Sequence, residues 1–91
     1  MAEQQQDGGG FQLVLIERDD RQAIYETWVR LSTEVHGFHR YSLDTGTCER
    51  IDKPRPTSCD LSVANRMGSV IKRAIEEHGG DVPDRIEREY W

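Results

Sequence analysis

The stretch D20-R-Q-A-I-Y-E-T-W-V-R-L-S-T-E-V-H36 decides the fold, because it fits two periods at once. Wound as a helix, it places Ile24, Tyr25, Trp28, Val29, Leu31 and Val35 on one arc of about 160°, with Arg21, Glu26, Arg30, Thr33 and Glu34 opposite. Asp19 or Asp20 then supplies the N-cap, and Gly37 falls just past the C-terminus. Extended as a strand, it alternates: Ala23, Tyr25, Thr27, Val29, Leu31, Thr33 and Val35 fall on one face, with mostly polar residues between them. Residues 27–35 are also rich in β-branched types. The strand reading leaves Ile24 and Trp28 facing solvent, whereas the helix strands nothing large. The caps and Trp28 favour a helix over 20–36, with Trp28 in the core.

Outward from this stretch the signals are simpler. Residues 11–17 contain Leu13-Val14-Leu15-Ile16, a short apolar run between Gly and a charged turn, which reads as a strand buried on both faces. Residues 38–43 and 47–51 flank Asp44-Thr45-Gly46, a three-residue turn ending in Gly, and predict a hairpin. Pro54 and Pro56 hold 52–58 as an extended linker. Leu61, Ala64, Met67, Ile71, Ala74 and Ile75 recur at helical spacing, predicting a helix from Asp60, its N-cap, to about His78, stopped by Gly79-Gly80. Gly68 inside it predicts close packing on the sheet. Residues 81–91 form a short terminal element, a helix opened by Pro83 or a strand ending at Trp91.

These elements give a small α+β domain over 11–91, in the order β-α-β-β-α, with helices packed on a three-stranded sheet. The alternative is a four-stranded antiparallel meander plus one C-terminal helix. Residues 1–10, with three consecutive Gln and three consecutive Gly, read as a flexible tail. They have neither the basic nor the apolar region of a secretory signal, so the expected compartment is the cytoplasm, with Cys48 and Cys59 as free thiols. At 91 residues there is room for one small core, and no run of apolar residues is long enough to span a membrane as a helix.

The charge is −5, from 17 acids against 12 bases, so the overall field does not steer the chain to phosphate backbones. A local basic strip over 53–73, with Lys53, Arg55, Arg66, Lys72 and Arg73, is the one nucleic-acid candidate; Arg66 and Arg73, seven apart, share a helix face. His36, His39, Cys48 and Cys59 form the candidate zinc set, although neither Cys has a close Cys partner. Cys59 precedes a helix N-terminus, which favours a thiolate, but Asp60 beside it opposes one and no oxyanion element accompanies it. Gly8-Gly9-Gly10 precedes a strand rather than a helix, so it does not form a phosphate loop. No cofactor is therefore expected.

With no catalytic constellation, the expected function is non-enzymatic. The reading is a small acidic regulator, inhibitor or accessory subunit that binds another protein and can dock on a basic surface. The expected contact residues are Asp19 and Asp20, for charge, and Tyr90 and Trp91, as aromatic anchors.

Overall fold

In the computed structural model, which describes residues 9–30 and 34–89, the chain forms one antiparallel sheet with one helix on it. Strands β1 (Gly10–Arg18), β2 (Gln22–Arg30), β3 (Glu34–Ser42) and β4 (Cys48–Arg50) follow one another as a meander. Helix α1 (Ser58–Glu77) then crosses one face, and β5 (Arg85–Arg88) returns to pair with β1. The strand order is β4-β3-β2-β1-β5. Gly10, assigned to the tail by the sequence, already opens β1; residues 1–8 lie outside the described residues.

The helix expected over 20–36 is not formed. Residues 22–30 are β2, and the period-2 pattern prevails: Ala23, Tyr25 and Val29 are fully buried and Thr27 is 1% exposed. The two apparent helix caps have other uses. Asp19 Oδ1 accepts the N–H groups of Arg21 (2.7 Å) and Gln22 (3.0 Å), which shapes the β1–β2 turn. Gly37 lies inside β3, where a Cβ would stand 2.8 Å from the Arg50 guanidinium. The architecture is therefore the alternative meander with one helix, extended by the terminal strand, and not a three-stranded sheet with two helices.

The residues of β1 also differ from their expected burial. Leu13 is fully buried and faces α1, but Val14 lies on the other face and is only half-buried. The register shifts between Leu15 and Glu17, where Ile16 is the extra residue of a bulge and is 50% exposed. An apolar run read as buried on both faces is thus buried on one.

The β3–β4 hairpin forms as expected. Gly46 takes a φ of +75°, the turn conformation that glycine adopts without cost. Ser42 N–H donates to Thr47 O at 2.8 Å. The N-cap of α1 is Thr57, three residues before the expected Asp60; Asp60 is instead the third helical residue of a capping box. The helix lays Val63, Met67, Ile71 and Ala74 on Leu13, Tyr25, Val29, Tyr41 and Ile86. A Cβ at Gly68 would lie 3.0 Å from Cys48 Cβ, so the glycine lets the helix approach β4 as its sequence position suggests.

Candidate functional site

Strand pairing determines which side chains share the face that α1 leaves open. Gln12, Trp28 and His36 stand side by side across β1, β2 and β3, and Val14, Glu26 and Phe38 form the next row. Ile24 pairs with Arg40, which pairs with Glu49 of β4. On β5, Arg85 and Glu87 extend these rows beside Val14 and Gln12. Among the described residues no element covers this face. Trp28, expected in the core, is one of its half-buried side chains.

The middle of the face is aromatic. The Trp28 indole stacks on the His36 imidazole, with centroids 5.1 Å apart and planes 12° from parallel. Phe38 tilts against the same imidazole, with centroids 5.8 Å apart. Glu26 Oε2 lies 2.8 Å from His36 Nε2 and fixes the ring between its neighbours. Ile24 and Val14 flank this ladder. Around it, Arg40 pairs with Glu49, and Arg85 lies 3.9 Å from Glu87. Around this centre the outward positions carry Glu17, Glu34, Glu49 and Glu87 against Arg30, Arg40 and Arg85, so the rim is acidic by one charge.

The edges of the sheet are occupied by side chains. Arg50 Nη2 donates to His36 O at 3.0 Å, and Phe38 N–H donates to Asp52 Oδ1 at 3.1 Å, closing the β3 edge beyond the short β4. On the other edge, Arg88 Nη1 donates to Glu87 O at 2.8 Å. A fifth strand only four residues long and rich in charge is a poor template for a further strand. The open face, rather than an edge, is what this fold presents.

The candidate zinc ligands are not brought together. His36 and His39 are three residues apart, an odd separation that sends them to opposite faces of a strand. His36 is on the open face. His39 is 1% exposed beneath α1, where its Nδ1 lies 3.1 Å from Thr27 Oγ1. Burial and the nearby Arg50 charge lower its pKa to about 4. Cys48 packs against Gly68, and burial pushes its thiol up to about 12; Cys59 is exposed in the first turn of α1. No group of three or more metal-ligating side chains occurs among the described residues.

The basic strip is interrupted as well. Lys53 Nζ and Arg50 Nη1 bind the two oxygens of Asp60 at 2.8 and 3.0 Å. Lys53, together with the Thr57 N–H, holds that carboxyl well below the usual carboxylate range. The Arg50 guanidinium also draws Asp52 down to about 2. Arg66, Lys72 and Arg73 lie farther along α1, away from this knot. Of the expected contact residues, Asp19 is engaged in its turn, Asp20 is exposed, and Tyr90 and Trp91 lie outside the described residues. Comparisons with protein-family models, with curated proteins and with solved structures found no match.

Proposed function

We propose that this is a non-enzymatic protein that binds another protein through the open face of its sheet, and that the partner presents an apolar recess ringed by basic groups. The observation that carries this reading is the Trp28–His36–Phe38 ladder, set at the centre of an uncovered sheet face with a net acidic rim. Aromatic centres with charged rims characterise protein contacts, where Trp and Tyr anchors supply most of the affinity. The acidic rim favours a basic protein surface and speeds its encounter. The same rim repels a phosphate backbone, which counts against reading the aromatic ladder as a base-stacking platform. The side-chain closure of both edges supports docking by the face rather than by strand addition.

The test begins with capture from the native host on wild-type protein and on Trp28→Ala protein. A captured species counts only if, once purified, it binds directly in calorimetry. Wild type should bind at least about 30-fold more tightly than Trp28→Ala, the loss expected of a hot-spot anchor. Leu61→Ser, on the far side of α1 and 55% exposed, should bind as wild type does. A direct partner whose affinity is unchanged by Trp28→Ala and Phe38→Ala, or turnover of a small molecule by the purified protein, refutes the reading.

A further inference from the structure

The open face carries charges in a symmetrical order about one line. That line crosses the strands midway between the row of Gln12, Trp28 and His36 and the row of Val14, Glu26 and Phe38. On β3, Glu34 and Arg40 lie three residues to either side of it. On β5, Glu87 and Arg85 lie one residue to either side, next to Gln12 and Val14. On both strands an acid on one side is matched by a base at the same distance on the other.

A two-fold axis along this line lays a second copy face down on the first, each strand over its own counterpart in reverse. Glu34 then stands over Arg40 of the second copy, and Glu87 over Arg85 of the second copy, and each contact occurs twice. His36 stands over Phe38, and the two Trp28 indoles lie diagonally across the axis, about 7 Å apart along the strands. The aromatic centre is thus closed by its own counterpart inside four contacts of opposite charge. Arg40 already pairs with Glu49 of its own chain, but its guanidinium has five donors and accommodates a second carboxylate. Long Arg and Glu side chains also absorb the angle of roughly 30° between two stacked, twisted sheets. A two-fold axis running along β2 instead matches, among the strand residues, only Arg40 with Glu17.

We propose that two copies of this chain pair through the open face about the transverse axis when no other partner occupies it. This rests on the reading of that face as a protein-binding surface and names a second occupant, which covers Trp28 until another protein displaces it. Strands of nine residues, about 30 Å long, in a sheet of five at spacings of about 4.8 Å give a face of roughly 600 Å². Two such faces reach only the lower end for specific interfaces, so the dimer is weak and reversible.

Sedimentation equilibrium of the pure protein at about 150 mM salt is the test. The expected result is a monomer–dimer equilibrium with a dissociation constant of about 100 µM or tighter. Glu34→Arg and Arg40→Glu, each checked for folding by circular dichroism, should each weaken the dimer at least about tenfold, because each sets like charges across the axis twice. Mixing the two variants should restore dimers, since every like pair becomes an opposite pair in the heterodimer. Leu61→Ser, on the far side of α1, should dimerise as wild type does. A wild-type chain that stays monomeric to about 1 mM overturns the proposal. So do dimers that both charge variants leave unweakened, a mixture that forms no heterodimer, or dimers lost in Leu61→Ser. A monomeric chain that still captures a protein through Trp28 removes the dimer alone, whereas a dimer with no captured protein removes the other reading alone.

Discussion

The Tyr25 hydroxyl donates to the Pro83 carbonyl at 2.6 Å, joining the centre of β2 to the segment that leads into β5 across 58 positions of sequence. Tyr25 is fully buried, and burial raises its phenol pKa well above the ordinary value, with Asp84 adding to the effect. Pro83 lacks an N–H but keeps its carbonyl, which is buried and needs a donor. Tyr25→Phe keeps the ring and leaves that carbonyl without its donor. The expected cost is about 1–3 kcal/mol in chemical denaturation. Amide exchange should also rise first in β5, because the lost bond anchors that strand; loss spread evenly over the sheet would contradict the anchoring role.

His39 makes stability depend on pH in a predictable window. Its folded pKa is near 4, against about 6.5 when unfolded, so the unfolded chain binds more protons between these values. The contribution is fully present above pH 6.5 and is lost as pH falls toward 4, by roughly 3 kcal/mol at most. Asp52 acts lower: its depressed pKa stabilises above its ordinary carboxylate value and that stability disappears as pH drops toward 2. Urea midpoints measured from pH 7 to 4 should therefore fall for wild type and stay flatter for His39→Gln. An equal fall in both proteins would remove His39 as the cause.

Gly37 is matched to Arg50. An added Cβ would lie 2.8–3.0 Å from the guanidinium, which Asp52, Asp60 and the His36 carbonyl hold in place. The head group of a long side chain normally moves aside, but moving this one breaks the contacts that close the β3 edge and steady the start of α1. Gly37→Ala should destabilise by about 1–3 kcal/mol despite the better strand propensity of alanine. Exposed Gly79→Ala has open space but a φ of +69°, so its cost arises from the backbone alone. Combining Gly37→Ala with Arg50→Ala separates the terms: a coupling energy near zero between the two would rule out the contact as the cause.

The hairpin at Gly46 and the stripe of α1 were legible because each rests on a local rule: a turn residue at a fixed offset, and apolar spacing sustained over several turns. Residues 20–36 were ambiguous because Asp19 and Gly37, which resemble helix caps, serve a β-turn and an arginine contact instead. The sequence does show that a strand leaves Ile24 and Trp28 outward. That apparent flaw is the open face itself. Its acidic and aromatic pattern depends on the register of β1, β2 and β3, which no spacing within one segment reveals. The same holds for His36 and His39, whose metal-like spacing separates them once the segment is extended.

The run Leu13-Val14-Leu15-Ile16 offers a compact test of that register, since four similar side chains have unlike surroundings. Leu13 is fully buried against the α1 layer, and Leu13→Ala should cost about 2–5 kcal/mol. Ile16 is half exposed at the bulge, where two residues of β1 oppose one of β2, so its side chain is not enclosed by the sheet. Ile16→Thr keeps β-branching at the same backbone position and should change stability by no more than about 0.5 kcal/mol. A strand buried on both faces would instead make both variants costly, and a slip of one residue in pairing would make Ile16→Thr costly and Leu13→Ala mild, because a slip exchanges the two faces. Urea denaturation of the two variants, read side by side, distinguishes these arrangements through the sizes of the two losses.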